Sequence, residues 1–514
     1  MRPVVLEIHR IVDVIVSCVS LSQIVMKTIS KLTSASRGKT WPQWLAAMII
    51  HVLSLLVGLV SGWTSPFLAK LTGGSETLVI SKDEASWVAS LFSVTRPVGA
   101  VVAAVVVNKF GAKWAVLANG VPHALAWGCF FVRESVTSIY VSRLLSGFAV
   151  GMYYSTFPLF IGEVASPRIR GALVSLVAQG LAIGTLLGNV LGAYVGMTTF
   201  AGVGIVMTAI FFFGFLLFPD SPHYLVKVKR VADAEASMRF YNRREDVGEE
   251  MEELKRFVGS RRVSTRESVR QLGTPVNRKI VGMVSCVYVF MQLSGLYTIS
   301  LYMEIILTDL KVDVVPPAVI VVAVGLVGVA SGLMSMYTND RAGRRTMLAI
   351  SSAGVCVTLF LLGVNQLLLD LGYDPAVLQY LTISAIVLYQ VFMCVGIIPI
   401  PSCLMSEMFP SQVKEVGTCL ANVTSAVFAF ITSKSYQPLV DATSQVFVFW
   451  AYSLVVLFMF VFTVVVLPET KGKSLQDIQE MMGKPRGDVS GRQTPTSRAD
   501  PFDNSRREFP RQMK

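Results

Sequence analysis

Twelve runs of about 18 or more mostly apolar residues recur along this chain, and they restrict its fold class more than any other feature. Hydrocarbon offers no water to peptide groups, so a membrane-spanning segment must pair its own N–H and C=O groups, as a helix or a closed barrel. A barrel strand needs only about 9–11 residues, so runs this long predict helices. The runs cover Trp44 to Phe67, Glu84 to Val107, Ala115 to Val132, Val136 to Gly162, Ala172 to Met197 and Phe200 to Phe218. After a hydrophilic stretch from Asp220 to Arg278 they resume as Lys279 to Leu307, Pro317 to Thr338, Met347 to Leu369, Val377 to Ser406, Gly417 to Val440 and Gln445 to Leu467. With 53% hydrophobic and 15% charged residues in a chain of 514, the expectation is an all-α membrane protein.

Three short motifs each occur twice, about half a chain apart. VNKFGAK at Val107 to Lys113 answers to NDRAGRR at Asn339 to Arg345, and EVASPRIR at Glu163 to Arg170 to EMFPSQVK at Glu407 to Lys414. PDSPHYL at Pro219 is echoed by PETKGKSL at Pro468. Each motif follows an apolar run at the same serial place in its half. The chain therefore reads as two six-helix pseudo-repeats, 44–218 and 279–467, joined by a cytoplasmic linker, 219–278, in the manner of a secondary transporter. The linker carries amphipathic, mixed-charge segments such as Val247 to Val258, compatible with short helices or with a solvated connection.

Charge orients the spans. The formal net charge is +12, but the bases follow membrane topology, which argues against nucleic acid as a partner. Alternate loops carry Lys109 and Lys113, Arg168 and Arg170, the central stretch, Arg341 with Arg344 and Arg345, and Lys414. The opposite loops hold only Lys70, Lys82, Arg133 and Lys311. The positive-inside pattern puts both termini in the cytoplasm, with the plasma membrane as the expected location. Residues 1–43 read as a cytoplasmic extension, and 468–514 as a cytoplasmic tail, disordered after about 483. The sequence contains no Walker loop, no HExxH and no nucleophile elbow, so no enzyme, cofactor or metal is expected. The expected partners are the lipid bilayer and a small solute, and the pattern carries no information on oligomeric state.

Between about Trp44 and Met482 the signatures resemble those of the sugar porter family of the major facilitator superfamily, the group containing facilitative glucose transporters and insect facilitated trehalose transporters. The resemblance rests on Arg143 followed by Gly147, Glu163 with Arg170 and Gly171, Gln179, QLSG at Gln292 to Gly295, NDRAGRR and PETKGKSLQDIQ. TSKSYQ at Thr432 to Gln437 leans to the trehalose side. The resemblance implies a major facilitator fold, a sugar or polyol as partner, and alternating access. Arg143, Glu163, Arg170, Asp340, Arg341, Arg344, Glu407 and Lys414 are expected to gate the cytoplasmic side, acids of one segment pairing with bases of another where the bundles meet and parting when that side opens. Ala112 and Glu415 depart from the family pattern.

Family sugar contacts map onto Gln179 and Gln292, with Tyr297 and Tyr302 on the same broken helix and Ser402 after Pro399 and Pro401. Around them the polar set is thinned: Met291, Tyr297, Gly328, Cys394, Ser402, Ser425 and Ala426 stand where the family has Gln, Asn, Asn, Glu, Trp, Asn and Trp. Losing three hydrogen bonds removes about 1.5–4.5 kcal/mol, against about 4 kcal/mol for millimolar binding. Glucose is therefore expected to be a poor substrate, and a trehalose-type, larger or less polar solute a better one. Thr64 stands near the position of the first-span Asp of proton-coupled relatives, which favours uniport, while His51, His123 and Arg96 are the ionisable residues noted within spans. A proton-coupled symporter and a non-transporting receptor or sensor are the alternatives.

Overall fold

The computed structural model describes residues 40–74, 78–132, 135–166, 168–260, 265–409, 413–471 and 481. The extension up to residue 39, the tail beyond 471 apart from 481, Glu76, Arg133, and the side chains of Asp340 and Glu415 lie outside the described residues.

Among the described residues, twelve helices are long and apolar enough to cross a membrane. Spans 1 to 6 are Trp41–Thr72, Lys82–Phe110, Ala112–Val132, Val136–Val164, Arg170–Tyr194 and Met197–Leu216. Spans 7 to 12 are Pro275–Asp309, Pro317–Asn339, Arg344–Asp370, Pro375–Met408, Val416–Ala442 and Gln445–Val465. Helix starts follow local chemistry. Ser81 and Glu84 form a reciprocal capping box at span 2, and the hydroxyls of Ser135 and Ser444 accept from the first turns of spans 4 and 12. Proline, which lacks the N–H that would go unpaired there, opens spans 1, 7, 8 and 10.

Repetition in sequence is repetition in space. Gly111 and Gly343, from the doubled first motif, have φ/ψ of 90°/169° and 92°/156° and each starts the next span. Both are covered by the third motif of their own half: a Cβ at Gly111 would lie 2.6 Å from the Tyr224 ring, and one at Gly343 would lie 2.6 Å from the Glu469 carboxylate. Glu469 also accepts from the backbone N–H of Arg344 (3.0 Å) and Arg345 (3.1 Å), an anion at the N-terminus of span 9.

The linker folds as short helices, Pro222–Lys227, Val231–Asn242, Gly248–Ser260 and Thr265–Leu272. Leu225, Ala234, Met238, Val247, Met251 and Leu254 bury one another in a small core of their own. Of the two readings left open by the sequence, the helical layer is the one observed. It is fastened to the first half, where Tyr224 donates to the Lys109 carbonyl at 2.9 Å and Gln43 to Asn242 at 2.9 Å.

Four spans are interrupted: span 3 at Asn119, between Ala112–Ala118 and Gly120–Val132, and spans 2, 7 and 10. Span 2 breaks at Thr95, ahead of Arg96 and Pro97. Span 7 breaks at Ser294 and Gly295, where φ of 79° suits glycine because no Cβ opposes it. Span 10 loosens into a π-helical turn, Met393–Ile397, just before Pro399, a residue that cannot supply the N–H a regular helix needs. Interrupted helices of this kind commonly frame the central site of a transporter.

Candidate functional site

A cavity of about 2440 Å³ lies between the halves and bears residues of the interrupted spans 2, 7 and 10, among them Arg96, Gln292, Tyr297, Cys394 and Ser402. It runs to the linker face, where Glu163, Arg168, Arg170, Arg344 and Lys414 line it together with Arg244 and Glu250 of the linker. The opposite face, called here the far face, is shut by contacts between halves. Lys434 of span 11 lies 2.9 Å from Asp83 and 2.6 Å from Ser86 of span 2, and 4.2 Å over the Trp87 ring. The Ser65 hydroxyl in span 1 accepts from the Glu304 backbone N–H in span 7 at 3.1 Å. Leu186 and Val190 of span 5 bury Val329 of span 8.

Four of the five expected substrate residues line this cavity: Gln179, Gln292, Tyr297 and Ser402. Tyr302 is not among the lining residues; it is buried against Tyr436, with ring centroids 4.9 Å apart. Both glutamines also bridge helices. Gln179 donates to the Val329 carbonyl across the halves at 3.3 Å, and Gln292 donates to Ser425 at 2.7 Å. The Gln292 amide oxygen has no partner among the described residues, which leaves an acceptor beside the cavity. Ser402 meets the Tyr288 hydroxyl at 3.3 Å.

The thinned polar shell is partly rebuilt from positions the sequence reading passed over. A Cβ at Gly328 would lie 2.6 Å from the Gln390 amide, so Gln390 occupies the room that the missing side chain would take. It also donates to Cys394 at 3.2 Å and lines the cavity, as do Asn189 and Asn422. Lys434 sits inside TSKSYQ, a motif noted for its resemblance rather than for its charge. A lone lysine near the end of an apolar span was the available signal, since an intramembrane cation needs a partner.

The expected gate residues divide. Arg143 is not on the linker face, and its placement is corrected. It precedes Glu163 by 20 residues on the same helix, about 30 Å at 1.5 Å per residue. There, in the half of span 4 nearer the far face, its guanidinium stacks 3.9 Å from the Trp63 ring centroid and donates to the Val60 carbonyl at 3.1 Å, all within the first half. Arg344 and Glu407 do meet, at 2.9 Å, with Thr470 donating to the same carboxylate. Both belong to the second half, so this pair stays intact while the linker face is open, contrary to a pair that must part. Arg170 donates to Ala165 at 3.3 Å and Lys414 to Ser406 at 3.2 Å, while Arg341 stacks 4.3 Å over Tyr337.

Because the Arg344 and Glu407 side chains are only 16% and 26% exposed, Glu407→Ala is expected to cost about 1.5–3 kcal/mol of second-half stability, the value of hydrogen bonds to a charged group. Thermal unfolding of the purified protein in detergent reads this. An unchanged midpoint would mean that the pair adds nothing to the fold.

A family model described as sugar (and other) transporter matches residues 21–482. The facilitated trehalose transporter of Bombyx mori is 28% identical over 447 residues, covering 85% of this chain and 86% of its own. That of Drosophila mojavensis is 28% identical over 450 residues, covering 87% of this chain and 52% of its own, so the chain spans about half the length of this relative. Among solved structures, the inward open conformation of the xylose transporter XylE from E. coli superposes with a TM-score of 0.70 at 17% identity, covering 85% of this chain and 99% of that one. XylE bound to 6-bromo-6-deoxy-D-glucose, described as a proton:xylose symporter, gives a TM-score of 0.67 at 17% identity over 86% and 99%. At these identities the likeness is one of fold.

Proposed function

The chain belongs to the sugar (and other) transporter family, with the major facilitator fold, and from that premise we propose that it is a facilitative uniporter of a sugar or sugar-like solute working by alternating access. The family comprises transporters rather than enzymes. The observation carrying the proposal is a cavity between the halves that is open to the linker face and closed at the far face by contacts between those same halves. Rocking one half against the other breaks the second set of contacts and exposes the same site to the other side. The basic loops support a cytoplasmic linker face and cytoplasmic termini, and the plasma membrane is the location this reading assigns. The trehalose transporters among the relatives make a trehalose-type solute the first candidate.

Uniport is supported by the surroundings of the buried bases. His51 meets the Leu176 carbonyl through Nδ1 at 2.8 Å, a contact that requires the proton on that nitrogen and needs no positive charge. Thr64 bonds only its own helix, at Val60, and Arg143 has no carboxylate partner among the described residues. One observation favours the symporter instead: Glu304 is an acid within span 7 with one carboxylate oxygen buried and unpartnered. Substrate-driven acidification of vesicles separates the two, and binding without flux identifies a receptor.

Glucose is expected to exchange poorly relative to trehalose or a polyol, because Met291, Gly328, Cys394 and Ala426 supply few hydrogen bonds. Gln292→Ala then costs the better solute on the order of 1–3 kcal/mol by leaving a confined hydroxyl unpaired, and Met291→Gln raises glucose exchange. Counterflow in proteoliposomes measures all three proteins. Efficient glucose exchange untouched by Gln292→Ala would end this assignment of the site.

A further inference from the structure

Arg96 lies 14 residues into span 2, about 21 Å from its start and so near mid-membrane. It lines the cavity that also holds Gln179 and Gln292. Its Nη1 donates to the Tyr297 hydroxyl across the halves at 2.8 Å. Its guanidinium carbon is 5.8 Å from the centroid of the Tyr154 ring and 5.7 Å from that of Tyr297. The two tyrosine rings and the Tyr297 hydroxyl hold the group, but neither residue balances its charge. Among the described residues Arg96 has no carboxylate partner.

A cation near the bilayer centre costs several kcal/mol unless something compensates it, so such a residue marks a functional site whose partner must be named. Neutral sugars do not require it, because amides and hydroxyls recognise hydroxyl groups. One of five guanidinium donors goes to Tyr297, and an arriving anion can take two of the others as a fork. The acids that line the cavity, Glu163, Glu250 and Glu253, lie toward the linker face, as do Arg168, Arg170, Arg244, Arg344 and Lys414, which leaves Arg96 as the one Lys or Arg in its depth among the described residues. Glu163 is nine residues beyond Tyr154 toward the linker face, about 13 Å along span 4, and Glu250 and Glu253 belong to the linker.

We infer that the solute is an anionic polyhydroxylated molecule, a sugar acid or a sugar phosphate, and that Arg96 binds its negative group while Gln179 and Gln292 hold its hydroxyls. This rests on the transport reading above and narrows its substrate class to anions, which displaces the neutral trehalose-type solute as first candidate. It also gives a reason for the thinned shell of neutral hydrogen-bonding groups, since one charge-assisted fork replaces several of them.

The test uses the full chain in proteoliposomes, with counterflow of glucose, trehalose, glucuronate and glucose 6-phosphate, and thermal stabilisation of the detergent-purified protein by the same four compounds. Wild type is expected to exchange glucuronate or glucose 6-phosphate on the order of 10- to 100-fold faster than glucose, the span of one charge-assisted hydrogen bond, and the faster of the two identifies the anion. Arg96→Gln should bring that ratio to about one, and Arg96→Lys, which keeps the charge but loses the fork, should retain only part of it. Two results would overturn the inference. One is exchange of, and stabilisation by, trehalose with no response to either anion, which leaves the transport reading standing. The other is an Arg96→Gln defect equal for all four compounds, which makes the residue a clasp between halves. Stabilisation by an anion without counterflow would uphold the anion site and remove the transport reading.

Discussion

Lys434→Ala is expected to open the far face. Lys434 contributes three contacts to the closed far face: an ion pair with Asp83, a hydrogen bond to Ser86 and a cation over Trp87. The Asp83 side chain is 75% exposed, so its ion pair counts for only about 0.5–1 kcal/mol. The stacked cation adds about 0.5–2 kcal/mol. Together they favour the linker-open state by about 1–3 kcal/mol, which is a 5- to 150-fold change in the conformational equilibrium. With native cysteines replaced and one cysteine placed at Ser300, a cavity residue, an impermeant thiol reagent added at the far face should label the variant much faster than its parent. Asp83→Asn should give a smaller increase, in proportion to its exposure. Equal labelling of Lys434→Ala and parent would assign closure to the apolar contact of Leu186 and Val190 with Val329.

Gly151→Ala and Gly184→Ala are expected to destabilise the first half more than ordinary core substitutions do. A Cβ on Gly151 would lie 2.0 Å from the Arg96 carbonyl oxygen, and one on Gly184 would lie 2.2 Å from that of Leu55. Both neighbours are backbone, so relief requires spans 2 and 4, or spans 1 and 5, to move apart. Small residues let helices in a bilayer approach closely, and dispersion contacts along the whole seam depend on that approach. The cost is at or above the top of the usual range for overpacking, about 1–3 kcal/mol per site. Gly128→Ala is the control. It meets nothing within 4 Å and should be neutral or stabilising by about 0.5–1 kcal/mol through helix propensity. Thermal midpoints of the detergent-solubilised proteins decide, and a Gly151→Ala midpoint equal to that of Gly128→Ala would show that spans 2 and 4 separate at no cost.

Much of the fold was legible in the sequence because its signals are local. Span positions follow from runs of apolar residues, and the pseudo-repeat follows from motifs that later prove to share backbone geometry at Gly111 and Gly343. Arg143 was legible too: a span that ends at Glu163 on the linker face must begin at the far face, so a residue seven positions past its start cannot belong to a linker-side gate. That topological signal was present and outweighed by the motif resemblance.

Partner choice was not legible. The sequence showed that Gly328 lacks a side chain, but not that Gln390, 62 positions later, fills the space. It showed a lysine at 434, but not that Asp83, from the other half, would face it. Hydropathy therefore determined the number and order of the spans, and charge in the loops supplied the expectation of which side faces the cytoplasm. Tertiary structure alone decided which helix faces meet, which of the expected residues reach the cavity, and which face of the protein is shut. The physical reason is that a helix in lipid is apolar all round. Lipid tails and the protein interior are equally apolar, so no polar stripe records which side of a span is buried, and that choice falls to packing and to a few polar contacts between distant segments.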